Sequence, residues 1–175
     1  MPSPVARFTV ALLDTKLHDR GAFDCGEPSL DAYLKRQAGQ DLERRVATTY
    51  VLAPQDVPSR VAGYFTLSAF AVLLTEIPDD LARRLPHYDR IAATLIGRLA
   101  RDVAFRGAGI GELLLLDALS RAFAASDHVA SHAVVVDAID ERATSFYRRY
   151  GFLPLPDDGR RLFVPMSTVA NLLRV

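Results

Sequence analysis

Tryptophan is absent from these 175 residues, methionine occurs twice, and cysteine occurs once, at Cys25. A single cysteine cannot close an internal disulfide, and the paired Cys/His spacings of zinc sites are missing, so no metal is expected and an apolar core has to hold the chain. No uninterrupted apolar run reaches the ~18 residues that a membrane helix needs. The amino terminus also lacks the basic, apolar and small-residue segments of a signal peptide, which makes a reducing cytoplasm the expected compartment. Excess charge of either sign is missing too, because lysine plus arginine and aspartate plus glutamate number 21 each. The field of the whole molecule therefore cannot draw in a polyanion, and any contact with nucleic acid has to use a local patch. Only Lys16 and Lys35 among those cations are lysines; the planar arginine fork that replaces them suits bidentate phosphate contacts. The four histidines, at positions 18, 87, 128 and 132, are scattered rather than clustered.

Half of the residues are hydrophobic, enough for one compact domain over 1–175 with a sizeable core and no low-complexity linker. The most informative stretch is Arg106-Gly107-Ala108-Gly109-Ile110-Gly111, set between a strand-like run, Leu95 to Val103, and a strongly apolar helical run. It reads as an anion cradle. Glycine lets a backbone come close to a ligand, and the unpaired amides and dipole at the start of the following helix favour a phosphate. Arg106 adds a charged fork for the same anion. A P-loop would close on Gly-Lys-Ser/Thr, whereas this loop closes on Gly111-Glu112. A dinucleotide fingerprint would lie near the first strand, whereas this loop lies past the middle of the chain.

Along the chain, Phe8 to Leu13 reads as a strand. One amphipathic helix follows, with Pro28 in its first turn, Leu30, Tyr33, Leu34, Ala38 and Leu42 inward, and Asp31, Lys35, Arg36, Asp41, Arg44 and Arg45 on a solvated face. Thr48 to Ala53 and Val61 to Phe70 read as a hairpin, Pro78 to Arg84 as a short helix, and Ile110 to Ala125 as a buried helix. Ala133 to Val136 reads as a strand covered on both faces. Asp140 is placed to cap a helix from Glu141 to Tyr150, which Gly151 closes. Phe152 to Leu155 and Arg161 to Met166 read as two final strands around the turn Pro156-Asp157-Asp158-Gly159.

That order, with the glycine loop after the fourth strand, resembles the α/β (α+β) fold of GNAT N-acyltransferases. The resemblance implies a mixed central sheet splayed between strands four and five, flanked by helices, with acetyl-CoA in the gap. A second motif, Ala143-x-x-Phe146-Tyr147-x-x-x-Gly151-Phe152 with Asp140 three residues ahead, resembles the family pattern after the fifth strand. Further residues resemble a narrower group, the GNAT toxins of bacterial type II toxin-antitoxin modules. These are Phe23-x-Cys25-Gly26, Leu30-Asp31-x-Tyr33-Leu34, Thr49-Tyr50-Val51, Gly63-Tyr64-Phe65-Thr66-Leu67-Ser68, Gly97-Arg98-Leu99-Ala100-x-Asp102, Val135-Val136-Asp137-Ala138 and Arg161-Leu162-Phe163-Val164-Pro165-Met166.

The resemblance implies a small enzyme that acetylates the free amine of aminoacyl-tRNA and stops translation. It also implies a cognate antitoxin, often of the ribbon-helix-helix kind, and a homodimer. The implied cofactor residues are Leu99, Ala100, Arg101, Asp102 and Val103 along the fourth strand, whose backbone amides would bind the acetyl carbonyl and the pantetheine arm, Arg106, Gly107, Ala108, Gly109, Ile110 and Gly111 in the loop, and Asp140 and Ser145. Tyr147 is the implied proton donor to the CoA thiolate. Its phenol, with a reference pKa of about 10, stays protonated at neutral pH. Two basic groups are candidates for gripping tRNA phosphates: Arg83, Arg84, His87 and Arg90 before the fourth strand, and Lys35 and Arg36 with Arg44 and Arg45 on the first helix. No motif places a strong general base. An α-amine, with a reference pKa of about 7.7–8.0, needs one far less than lysine at about 10.4, and Glu76 is the carboxylate available if one is used. The cofactor motifs alone leave the acceptor open between aminoacyl-tRNA, a small amine and a protein amine. A CoA-binding domain without catalysis also satisfies them.

Overall fold

The structure is a computed structural model that describes residues 7–156 and 158–174. Its strands are β1 (Phe8–Leu12), β2 (Thr48–Pro54), β3 (Gly63–Leu73), β4 (Arg90–Arg101), β5 (Ala133–Asp137), β6 (Leu153–Leu155) and β7 (Asp158–Pro165). Its helices are α1 (Pro28–Arg36), α2 (Ala38–Glu43), α3 (Asp79–Ala82), α4 (Ile110–Ala125), α5 (Glu141–Arg148) and α6 (Met166–Leu173). The strands hydrogen-bond in the order β1-β2-β3-β4-β5-β7-β6. The β4–β5 pair is parallel, from Ala93 opposite Ala133 to Ile96 opposite Val136. There the pairing stops, although β4 continues to Arg101. A mixed seven-stranded sheet with one parallel pair, flanked by helices, is the sheet that the GNAT resemblance implies.

Contacts divide the chain into two compact units, Met1–Leu67 with Arg98–Asp117, and Ser68–Gly97 with Ala118–Val175. The first unit contains the antiparallel β1–β2 pair and the β2–β3 pairing up to Leu67. Its core is aromatic. Phe23 meets Tyr64 edge-on at 5.5 Å, and Tyr33 stacks on Tyr64 at 6.4 Å, among Leu13, Leu34, Ala38, Val51 and Ala100. The second unit has an aliphatic core of Val72, Ile77, Ile91, Ala93, Val135 and Leu155 around Phe163. Its β5 is sandwiched in sequence register between β4 and the antiparallel β7. The β-branched run Val134-Val135-Val136 is fully buried, as a strand covered on both faces requires.

Four expectations change. The single helix from Pro28 becomes α1 and α2, broken at Gln37, whose φ of −115° leaves the helical range. The break carries Ala38 into complete burial and brings Gly39 so close to Thr15 that a Cβ would sit 3.0 Å from the threonine methyl. Its solvated face is also only partly solvated, because Asp31 accepts the Cys25 amide at 2.9 Å and Asp41 accepts the Tyr33 hydroxyl at 2.8 Å. The fourth strand begins at Arg90, not after it, and ends before Val103, which opens a 3-10 turn over Val103–Phe105. The last strand stops at Pro165, and Met166 begins α6, a helix that the two-strand ending left out. Of the turn expected over Pro156–Gly159, Asp157 lies outside the described residues, and β7 begins at Asp158.

Candidate active site

The glycine loop belongs to the first unit. Gly107 and Gly109 have φ of +78° and +73°, and a Cβ on either would meet nothing within 4 Å. Alternating left-handed glycines turn successive amides toward one side, the geometry of an anion nest. The next residue, Ile110, starts α4 with its side chain fully buried, which fixes the helix end in place. Gly109 accepts the Leu113 amide at 3.1 Å. The first-turn amides of Ile110, Gly111 and Glu112 have no carbonyl four residues back inside the helix, so they are available to an anion with the helix dipole behind them. Ala108 differs, since its amide donates to Phe105 at 3.2 Å. Arg106 is exposed and its side chain can swing toward the same nest.

The strand leading to the loop is less open than the sequence suggests. Leu99, Ala100 and Arg101 close β4. Asp102 and Val103 are then bonded inside the protein, because the Asp102 amide donates to Ala62 at 2.9 Å and the Val103 amide donates to Asp24 at 2.8 Å. Neither amide is open to a ligand, which corrects the expectation that the whole span Leu99–Val103 offers backbone donors. The Asp102 carboxylate is buried and faces the protein as well.

The second unit holds Tyr147 on α5. Asp140 caps that helix, accepting the Ala143 amide at 2.8 Å, and Gly151, at φ +89°, ends it. The cap and the glycine thus define the short helix that carries the tyrosine, as the motif spacing implies. The Tyr147 ring packs against Phe146 at 5.2 Å and Phe152 at 5.4 Å and is buried. Burial, the sole influence on it, pushes the phenol pKa above its ordinary value of 10, so the group is protonated at neutral pH and can act only as a donor. Among the described residues its hydroxyl has no hydrogen-bond partner. Ser145 is exposed on the same helix.

Arg83, Arg84, His87 and Arg90 are all exposed and all belong to the second unit. Arg84 also borders an apolar cavity of about 360 Å³, which Ile77, Leu81, Ile91, Phe163 and Pro165 line. Lys35 and Arg36 are exposed on the last turn of α1 in the first unit. Glu76 closes a 3-10 turn and its carboxylate accepts the Leu73 amide at 3.2 Å, so it is anchored to its own turn. Among the described residues no group of acidic, histidine and cysteine side chains could hold a metal ion, and no helix is long and apolar enough to cross a membrane.

No family model matches the chain. Individual proteins do. The probable toxin TacT of Sinorhizobium fredii is 31% identical over 96% of this chain and 96% of its own length. The tRNA-acetylating toxin of Mycobacterium tuberculosis is 31% identical over 89% of this chain and 90% of its own. Among solved structures, AtaT complexed with acetyl-methionyl-tRNAfMet superposes with a TM-score of 0.87 at 28% identity, covering 95% of this chain and 99% of that one. A variant of AtaT bound to acetyl-CoA and to the C-terminus of the antitoxin AtaR superposes with a TM-score of 0.81 at 26% identity, covering 96% and 99%.

Proposed function

Since the chain belongs to the GNAT toxin family that includes the tRNA-acetylating toxins, we propose that it is an acetyl-CoA-dependent N-acetyltransferase that blocks translation by acetylating the α-amine of aminoacyl-tRNA. The observation that carries the proposal is the Arg106–Gly111 nest, with two left-handed glycines, open space above them and unpaired helix amides behind. A pyrophosphate satisfies all three features at once. On this reading the loop holds the acetyl-CoA pyrophosphate with Arg106, and the end of β4 from Leu99 to Arg101 lies along the pantetheine arm.

The chemistry needs little from side chains. A neutral amine attacks the thioester carbonyl, the C–N bond forms as the C–S bond breaks, and the departing sulfur takes a proton. Tyr147 supplies that proton, and burial suits it to the task by keeping it protonated. The proton released by the amine passes to water and restores the phenol through solvent. An aminoacyl ester amine loses its proton readily near neutrality, so Glu76, which is engaged with Leu73, is not required as a base. Exposed Arg83, Arg84, His87 and Arg90, and separately Lys35 and Arg36, are the residues proposed to meet tRNA phosphates. Asp140 and Ser145 remain proposed cofactor residues, with the Asp140 carboxylate acting through its cap of α5.

The same reading takes the 175 residues as one catalytic domain, working as a cytoplasmic homodimer restrained by an antitoxin of the ribbon-helix-helix kind. Support for an antitoxin comes from the AtaT relative, which binds the C-terminus of AtaR. Expression alone and together with any small open reading frame that adjoins its gene, followed by mass spectrometry of recovered aminoacyl-tRNA, tests the proposal. Acetylated aminoacyl esters that appear only without the neighbour are the expected result. Growth arrest with no acetylated ester would refute it.

A further inference from the structure

Two of the toxin-like groups, Phe23-Asp24-Cys25-Gly26 and the one that ends at Asp102, lie far apart in sequence, with Asp24 and Asp102 separated by 78 positions. In the first unit they meet. The Asp102 carboxylate is buried and accepts two amides, from Asp24 at 3.1 Å through Oδ2 and from Ala104 at 2.8 Å through Oδ1. Arg60 stands 3.8 Å from Oδ1 and lays its guanidinium over the Phe105 ring at 5.5 Å, and Phe105 meets Phe8 edge-on at 6.0 Å. The return contact is the Val103 amide on the Asp24 carbonyl at 2.8 Å. Asp24 itself sits in a tight turn, its side chain accepting the amide of Gly26, whose φ is +86°.

A chain of bonds then runs from this contact to the glycine loop. Asp102 donates to Ala62, Val103 to Asp24, Ala104 to the Asp102 carboxylate, Phe105 to the Asp102 carbonyl, Arg106 to Val103 and Ala108 to Phe105. The left-handed glycines at 107 and 109 and the open end of α4 come directly after. A loop of exposed glycines has high conformational entropy, so its anion site exists only as far as its ends are fixed. The α4 end is fixed by buried Ile110. The β4 end is fixed by Asp102.

We infer that Asp102 is a positioning residue for the acetyl-CoA loop, locking the 3-10 turn at Val103–Phe105 to the Asp24–Gly26 turn so that the glycine loop and the first-turn amides of Ile110, Gly111 and Glu112 converge on the pyrophosphate. The inference rests on the proposed role of that loop. Asp102 acts through backbone it holds and does not touch the ligand. A carboxylate is required because it accepts two amides at once, one on each oxygen, which a buried asparagine of the same shape cannot do. Hydrogen bonds to a charged acceptor are stronger than those between neutral groups.

The test is calorimetry of acetyl-CoA binding with steady-state kinetics on Asp102→Asn, with Tyr64→Phe as a control that removes a different hydrogen bond of the same unit, from the Tyr64 hydroxyl to the Leu30 carbonyl at 2.7 Å. Asp102→Asn is expected to raise Kd and KM for acetyl-CoA about tenfold, with kcat at saturating acetyl-CoA near wild type. Tyr64→Phe should lower Tm without moving either constant. Should Asp102→Asn fail to fold, Gly26→Ala strains the partner turn, and about a fivefold rise in Kd is expected from its left-handed backbone cost. Wild-type Kd in the variant that folds, while Gly109→Glu still weakens binding, overturns the positioning role and leaves the loop reading intact. Wild-type Kd in Gly109→Glu as well overturns the loop reading itself.

Discussion

The two units are built by different means, and the difference follows what each is proposed to do. The first is cross-tied by polar groups. Asp102 joins two turns, Tyr33 donates to Asp41 while the Arg98 guanidinium lies 3.5 Å above its ring, and buried His18 accepts the Asp14 amide at 3.0 Å through Nδ1. The second relies more on aliphatic packing around a cavity of about 360 Å³, with Arg83, Arg84 and Arg90 exposed, Tyr147 packed between phenylalanines, and the Arg161–Asp137 ion pair, at 2.7 Å, as its main cross-strand polar tie. A cofactor with fixed geometry needs a backbone held to within a few tenths of an ångström, and hydrogen bonds give that direction. A proton donor needs only a protonated phenol at the right place, and burial suffices. On the proposed mechanism, the polar ties of the first unit serve acetyl-CoA binding and the packing around Tyr147 in the second serves protonation.

The largest expected effect breaks the second half of that contrast. Tyr147→Phe keeps the ring, its packing and acetyl-CoA affinity but deletes the proton, so turnover should fall about 100- to 10,000-fold. Stopped-flow rates at saturating acetyl-CoA measure this, and wild-type rates would assign Tyr147 to packing alone. Next is Gly109→Glu, which places a charged side chain on a left-handed backbone at the phosphate site. The conformational cost of about 1–2 kcal/mol alone weakens acetyl-CoA about tenfold, and charge repulsion adds to it, with turnover at saturation preserved. Titration calorimetry together with steady-state rates separates the two units, since the tyrosine variant should move kcat and the glycine variant Kd.

How far each unit was legible follows the same division. The helix over Ile110–Ala125, the Asp140 cap and the Gly151 stop were readable residue by residue, because apolar runs, caps and glycine stops act within one or two turns. The fates of Asp102 and Val103 were not. Their partners, Ala62 and Asp24, lie tens of residues away, and nothing local marks a buried carboxylate as structural. The break at Gln37 likewise goes with a contact to a distant part of the chain, that of Gly39 with Thr15. The final helix could have been found. Met166, Val169, Leu172 and Leu173 repeat at helical spacing, and Pro165 ends the strand before them.

A smaller effect sharpens the charge assignment. Neutralising Arg83, Arg84 and Arg90 together should raise KM for charged tRNA and flatten its salt dependence, each lost phosphate contact reducing the logarithmic slope by about 0.7–0.9. Acetyl-CoA binding should be unchanged. A slope equal to wild type would assign these arginines to solvent.

The smallest effect concerns the polar ties themselves. Burial holds the His18 pKa below its ordinary value of 6.5, against the pull of Asp14, the acidic group beside it. The folded state therefore binds fewer protons here than the unfolded chain, so the stability His18 contributes is complete above about pH 6.5 and is lost as pH falls through its lowered pKa. Between pH 7 and 5 the carboxylates with lowered pKa values, Asp14 and Asp41, stay ionised. Urea unfolding across that range should show wild-type stability falling toward pH 5 and a flatter profile in His18→Gln.

The most direct test of the account is the acceptor itself. Purified protein is incubated with acetyl-labelled acetyl-CoA and total charged tRNA, and the label is then traced by nuclease digestion and mass spectrometry. The account predicts label on the α-amine of aminoacyl adenosine, absent from Tyr147→Phe on the same time scale. Label confined to protein lysines or small amines, with none on aminoacyl esters, would contradict it.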